Sequence, residues 1–406
     1  MNLYDIVIIG GGASGLLAAL TASDLGNRVL ILEKNNRIGK KILVTGNGRC
    51  NFTNILMVNE DYNHPEFVGK IFEQFNVQNT IDFFDDLGIV AKIEDEGKTY
   101  PLSEQASSFL DIFLYELNKR KIEVELNQEI ININKTNDNF NVYAKGNVKY
   151  QAKKVIICTG GKSMPLTGSD GSGFNLAEKF GHKINRTFPA LVKLKLDSPH
   201  LKHLSGVKIN SQVDLLLDNQ IIKSEHGDIL FTSYGISGPT ILELSRKANE
   251  LLNENKDIEL RVILVESVSK KKILERLNYF SNKEVSQSLI GLVNKRFITP
   301  LLREAGIEKN NILVEELDSV KIFNLINLLH DWRFKVIGSL GFEESQVTAG
   351  GIDIKEINPQ TLESKLVKNL YFAGELIDID GRCGGFNLQW AWSSGYVAAK
   401  HASDEK

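Results

Sequence analysis

Apolar residues along the chain fall into short unbroken runs separated by stretches of helical spacing. Tyr4–Ile9 is apolar without alternation and stops at glycines, the pattern of a strand buried on both faces. Ser14–Leu25 follows with helical spacing and small residues, and Arg28–Leu32 reads as a second buried strand. Together they make a β-α-β unit of the expected length, about 30 residues. Pro65–Phe75 and Val77–Leu87 read as helices, and Val90–Tyr100 as a hairpin turning at Glu94–Gly97. Gln105–Lys119 is an amphipathic helix leading into strand Ile122–Leu126, and Lys154–Cys158 is another buried strand. After Phe188-Pro189 the texture changes. Leu191–Leu196, Val207–Leu217, Ile229–Thr232 and Ile258–Val265 read as closely spaced strands with a helix, Pro239–Lys247, among them, which predicts a small barrel. Ser269–Asp331 is helical and lysine-rich. Its run Lys270-Lys271-Lys272 reads first as a solvated helix face and second as a binding patch. From Val347 glycines return, then strand Leu370–Ala373 and a last helix over Leu388–Lys400. There is no internal repeat and no low-complexity tract.

The chain has 406 residues, enough for two or three domains and a large core without staples. Forty-eight basic against fifty-one acidic residues give a net charge of −3, which argues against nucleic acid or an anionic membrane as the main partner. Cys50, Cys158 and Cys383 are dispersed and include no C-x-x-C, which suits a reducing, cytoplasmic setting. The seven histidines are scattered, so no metal site is expected. Met1-Asn2-Leu3-Tyr4-Asp5 offers no basic n-region, so no signal peptide is expected. The apolar stretch Ile6–Leu20 is shorter than a membrane span and broken by four glycines.

Gly10-Gly11-Gly12-Ala13-Ser14-Gly15 fits G-x-G-x-x-G, follows a strand, opens a helix, and is followed by Glu33 at the end of the next strand. In that context the motif reads as a dinucleotide site. Gly10 allows the tight turn, Gly12 lets the backbone approach a pyrophosphate at the helix start, and Gly15 lets the helix pack on the strand. Glu33 would accept from an adenosine ribose, with Lys34 beside it. Val155–Gly161 is a second strand ending in small residues (Thr159, Gly160, Gly161), which leaves room for a nucleotide. Tyr371–Glu375 is a third, with Glu375 after Gly374. Gly384-Gly385-Phe386-Asn387-Leu388 then opens the last helix, whose free N–H groups would face an anion such as the pyrimidine end of a reduced flavin. NAD and FAD both satisfy the first motif; the C-terminal helix start favours FAD.

Several longer stretches carry a resemblance. They are GGGASGL (Gly10–Leu16), GKKILVTGNGRCNFTN (Gly39–Asn54), TGSDGSGF (Thr167–Phe174), FTSYGISGP (Phe231–Pro239), TAGGI (Thr348–Ile352), TLESK (Thr361–Lys365) and AGELIDIDGRCGGFNLQWAWSSG (Ala373–Gly395). Over essentially its whole length the chain resembles the two-dinucleotide-binding-domain flavoproteins, and within them the YhiN/BaiN-like family that includes aminoacetone oxidase-type enzymes. The resemblance implies FAD. It also implies that Gly39–Cys50 passes the pyrophosphate and reaches the flavin edge, with Lys40, Lys41 and Thr45 as donors and Gly46 and Gly48 allowing close approach. By the same resemblance Ile130 lies at the adenine, and Glu375 and Asp378 bind the ribityl chain. The family often has His where this chain has Ser233, so any part that His plays has no counterpart here.

Gly-Arg-Cys occurs twice, at Gly48–Cys50 and Gly381–Cys383. Arg49 and Arg382 are candidates for an anionic substrate group, and Tyr100, Tyr234 and the histidines for proton donation. Since one FAD must touch both ends of the chain, the expected fold is α/β. A Rossmann-like FAD-binding domain is discontinuous (1–189 and 341–406), and a substrate or cover domain is inserted at 190–340, β-rich to about 267 and helical over about 268–335. The expected function is an FAD-dependent oxidoreductase moving a hydride between a small organic substrate and flavin N5, in first place an oxidase of a small amine such as aminoacetone. The alternatives are a reductase of an activated double bond driven by transient NAD(P)H and, behind it, a flavin-dependent tRNA-modifying protein.

Overall fold

The computed structural model describes residues 3–136 and 138–404. Met1 and Asn2, on which the expectation of no signal peptide partly rests, lie outside them, as do Asn137, Glu405 and Lys406 of the expected FAD-binding domain. The chain divides into two compact units, Met1–Pro189 with Ser345–Lys406, and Ala190–Glu344. Each has its own apolar core.

In the first unit the chain runs β1 (Leu3–Ile9), α1 (Ala13–Asp24), β2 (Val29–Leu32), β3 (Thr53–Asn54), α2 (Pro65–Phe72), α3 (Val77–Asp86), β4 (Ala91–Ile93), β5 (Lys98–Pro101) and α4 (Ala106–Lys119). It continues through β6 (Glu123–Glu125), β7 (Ile130–Lys135), β8 (Phe140–Ala144), β9 (Val148–Ile157), α5 (Ser172–Glu178) and β10 (Phe188–Ala190). The main sheet is ordered β6-β2-β1-β9-β8-β7. β6, β2, β1 and β9 are parallel, which is why β2 is apolar at every position and wholly buried. β7, β8 and the first half of β9 form an antiparallel meander. The sequence pattern shows only the end of β9, because the meander alternates buried residues with exposed polar ones. β3, β4 and β5 make a separate small sheet.

The second unit runs β11 (Leu194–Asp197), α6 (Leu201–Leu204), β12 (Lys208–Leu217), β13 (Gln220–Thr232), β14 (Gly235–Ser237), α7 (Pro239–Asn253) and β15 (Ile258–Val262). Then come α8 (Lys270–Tyr279), α9 (Val285–Ser288), α10 (Lys295–Glu304), α11 (Ser319–His330) and β16 (Trp332–Ser339). Six antiparallel strands close a barrel in the order β11-β14-β13-β12-β15-β16, with β16 pairing back to β11. The helical stretch therefore ends before residue 332. Trp332, Phe334 and Val336 point into the core while Arg333, Lys335 and Ile337 point outward, the period of a strand.

Back in the first unit come β17 (Val347–Ala349), β18 (Leu370–Phe372) and α12 (Phe386–Ser403). β18 is parallel to the second half of β9, on the edge whose first half pairs with β8. α1 is buried from Ser14 to Ala22 because it packs against both the sheet and α12. At the crossing, a Cβ on Gly395 would stand 2.3 Å from the Ser14 carbonyl oxygen.

Candidate functional site

A cleft of about 1230 Å³, open to solvent, lies in the first unit where β1, β2 and β9 end. This is where open parallel sheets bind ligands. The three motif glycines have three different reasons. Gly10 has φ +106°, and a Cβ there would stand 2.5 Å from the Cys158 carbonyl oxygen. A Cβ on Gly15 would stand 2.0 Å from the Gly10 carbonyl oxygen, so the helix packs only as glycine. A Cβ on Gly12 would meet nothing within 4 Å, so its position on the cleft wall is open for a ligand. Gly12 caps α1 without any side-chain bond, and the first turn holds no carboxylate. The N–H groups beside Ala13 and Ser14 and the positive helix end are thus left for an anion.

Glu33 is buried at the wall. Its Oε2 accepts from the Gly11 N–H (2.8 Å) and its Oε1 from the Asn35 N–H and side-chain amide (2.8 and 2.7 Å). These bonds hold the carboxylate still and leave a lone pair on Oε2 for a hydroxyl. Thr159 Oγ1 and Ser169 Oγ, both on the wall, are buried with no partner among the described residues. Their oxygens face the backbone at Gly173 and Gly160. Free helix N–H groups, a fixed carboxylate and the open position at Gly12 together fit a dinucleotide. Gln128, Glu129 and Ile130 line one end of the cleft.

Toward the other end, Glu375 Oε2 accepts from Lys41 Nζ (2.6 Å), and its Oε1 accepts from Ser163 Oγ (2.6 Å) and the Thr348 N–H (2.7 Å). Lys41 also donates to Ser163 Oγ (2.6 Å). Burial pushes the Glu375 carboxyl up, but the Lys41 charge and these donors outweigh it and hold it below the usual range. Asn387, Leu388, Trp390 and Ala391 at the start of α12 complete this end. Gly385 caps α12 at φ +103° with no side-chain bond and no carboxylate in the first turn. Asn387 faces back, accepting from the Gly381 N–H (2.9 Å) and donating to the Gly381 and Arg382 carbonyls. The bend ahead of the helix is thereby fixed.

Residues 4–401 match the family described as the HI0933-like protein Rossmann domain. The chain belongs to that family. With it goes the chemistry: this HI0933-like chain is an FAD-dependent oxidoreductase. It is 37% identical to the 3-dehydro-bile acid delta(4,6)-reductase of Clostridium scindens over 98% of this chain and 99% of that one. It is 31% identical to the ribosomal RNA dihydrouridine synthase of Escherichia coli over 98% of both. Among solved structures, the 3-ketosteroid delta1-dehydrogenase of Sterolibacterium denitrificans shares the fold, with a TM-score of 0.53 at 12% identity over the full length of both chains. No helix among the described residues is long and apolar enough to cross a membrane.

The HI0933-like cleft brings together most of the sequence candidates. Gly10, Gly12, Ala13, Ser14, Glu33 and Lys34 line it, as do Lys40, Lys41, Thr45, Ile130, Thr159 and Gly160, and so do Glu375, Asn387 and Leu388. Others stand off the wall and serve it indirectly. Gly161 leaves room for Thr348, and Gly374 (φ +75°) for Ser14. Asp378 accepts from Asn63 and Asn185 amides and ties loops together. Gly384, Gly385 and the buried Phe386 shape the entry to α12. In the Gly46–Cys50 bend, Gly46 and Gly48 take positive φ. Arg49 there lies 4.0 Å over the ring of the buried Tyr100 and pairs with Glu94 at 3.0 Å, so its charge is already answered. Cys50 is fully buried, and burial pushes its thiol up to about 12, which favours the protonated form. Cys383 is partly exposed, with Sγ 3.6 Å from Gln346 Oε1. Arg382 is exposed, and Ser233 and Tyr234 form the turn between β13 and β14 in the other unit. Ser163 and Gln346 are site residues that the sequence reading passes over. Neither sits in a glycine motif, and each is brought in by a contact distant in sequence.

Proposed function

We propose that this protein saturates a carbon–carbon double bond conjugated to a carbonyl, with a nicotinamide nucleotide visiting transiently as reductant. The observation that carries the reading is what two full-length relatives have in common. One is named a delta(4,6)-reductase of a 3-dehydro compound and the other a synthase of dihydrouridine, which is uridine with its ring double bond saturated. Their substrates differ and the bond change is the same. FAD, when bound and reduced by the nicotinamide, would supply a hydride from its N5, and solvent would supply the proton that completes the saturation. The chain's residues bind and orient it. The start of α1 takes the pyrophosphate, Glu33 the ribose, and the Lys41–Glu375–Ser163 cluster the part of the cofactor toward α12. The start of α12 favours negative charge on whatever ring lies against it. The inserted unit selects the substrate.

The test is anaerobic. Purified yellow protein is mixed with NADH or NADPH, and flavin bleaching is followed. A 4-en-3-one steroid or a uridine-containing RNA is then added. Return of the flavin absorbance with a product 2 Da heavier is expected for one of them. The competing reading, oxidation of a small amine, predicts that aminoacetone bleaches the flavin and that only oxygen restores it. That outcome would overturn the proposal.

A further inference from the structure

The helical part of the inserted unit carries a charge pattern that the whole-chain value of −3 conceals. Between residues 270 and 283 stand Lys270, Lys271, Lys272, Arg276 and Lys283 against one carboxylate, Glu275. Ile273 and Leu277 turn α8 inward and are buried, so Lys271 and Lys272 occupy the outer side and Arg276 its half-exposed margin. Lys272, Arg276 and Phe280 follow one another at i+4 and share a stripe. The Arg276 guanidinium lies 5.0 Å over the Phe280 ring, and Lys283 Nζ lies 4.1 Å from the centre of the same ring. Tyr279 packs edge-on against Phe280 at 5.0 Å and is 81% exposed.

Charge on this stripe is barely answered from within. Among the described residues the one ion pair beside it is Lys271–Glu275, at 4.0 Å and largely in solvent. Lys270 donates to the Asn327 side-chain oxygen (2.7 Å), and Arg276 to the carbonyls of Ser288 and Ile290 (3.2 Å each). These are neutral acceptors, which fix the side chains and leave their charge outward. An aromatic ring as exposed as Tyr279 adds almost nothing to folding.

We infer that this stripe is a docking surface for an RNA strand, with the cations on phosphates and Tyr279 as a platform for a base. A positive track with exposed rings is what binding a single strand requires. A membrane would need an apolar face to insert, and the apolar face of α8 is committed to the unit's own core. The inference rests on the reductase reading in that the strand would carry the double bond to be reduced. It also answers the expectation of no nucleic-acid partner, which rested on whole-chain net charge and motif content and not on local charge.

The test is fluorescence anisotropy of a labelled, unstructured 20-nucleotide RNA of mixed sequence with the full-length, flavin-loaded protein. Three phosphate contacts on a single strand, from Lys272, Arg276 and Lys283, predict that affinity falls about 20-fold between 50 and 200 mM salt. Charge reversal in Lys271→Glu/Lys272→Glu/Arg276→Glu should abolish binding. Tyr279→Ala should weaken it at least about fivefold while leaving the salt dependence unchanged. Both variants lie outside the cofactor cleft and should keep the flavin spectrum and melting temperature, which shows that they fold. No RNA binding at 50 mM salt, or binding that both variants leave intact, overturns the inference. So does binding to phosphatidylserine vesicles as tight as to RNA and indifferent to Tyr279→Ala. Because binding is read without turnover, its failure leaves the reductase reading standing, and failure of turnover leaves the surface standing.

Discussion

Gly12 and Gly15 sit three residues apart in one motif, yet substitution should separate their roles. A Cβ at Gly12 meets nothing within 4 Å, so Gly12→Val should fold with near-native melting and be purified colourless. A Cβ at Gly15 would stand 2.0 Å from the Gly10 carbonyl oxygen, so Gly15→Ala should lower the melting temperature itself, at a cost of about 1–3 kcal/mol for overpacking. Equal melting of the two variants would contradict this division. Glu375 makes a second residue-scale prediction. Its carboxyl is held below the ordinary range, so the stability it contributes is present above the unfolded value of about 4.3 and is lost as pH falls through the folded one. Melting of the wild type should therefore drop on acidification below about pH 4.3, more steeply than that of Glu375→Gln. At neutral pH the variant, with Lys41 left unpaired, should be less stable by about 1–3 kcal/mol. The glycine roles are legible in sequence because each is local. The Lys41–Glu375 contact joins positions 334 apart, and nothing in either neighbourhood announces it.

At the scale of elements, the start of α12 is where helix and cofactor cleft meet. Gly385→Asp would be a poor probe of its charge. The position has φ +103°, and a Cβ would stand 2.3 Å from the Thr53 carbonyl oxygen, so any side chain disturbs the bend as well as the field. Leu388 lies in the first turn, lines the cleft and has helical backbone. Leu388→Glu, compared with the neutral Leu388→Gln, should make the flavin's two-electron potential more negative by about 6–40 mV. Equilibrium titration against a reference dye measures it, and equal potentials in the two variants would refute the assignment. Helices and buried parallel strands were readable because their patterns are strong. β16 was not, since it follows a helical stretch directly and its alternation, Trp332-Arg333-Phe334-Lys335-Val336, spans only a few residues. β7 and β8 escaped for a related reason. Asn132, Asn134 and Asn141 dilute the apolar signal on a sheet with one solvated side.

For the whole molecule, the division into units is physical because the apolar clusters are separate and one unit is a single stretch of chain. The barrel of the inserted unit is closed, so it presents no open edge that needs another part of the protein. Residues 190–344 produced alone should melt cooperatively and be colourless. In the other unit β10 pairs with β17, which makes the points where the chain leaves and returns neighbours across a two-stranded ladder. A protein in which Pro189 is joined to Ser345 by a short glycine-rich linker should therefore keep its parallel sheet and its cleft, since every residue lining the cleft belongs to this unit. It should be yellow, release FAD on denaturation, and be bleached by dithionite. On the proposed reading that the inserted unit selects the substrate, it should also fail to turn over the substrate of the full-length enzyme. A colourless, unfolded product would mean that the inserted unit is needed for the cofactor fold itself. A yellow product with full turnover would mean that substrate selection resides in the cofactor unit, and would shift the search for it to Gln346, Cys383 and the start of α12.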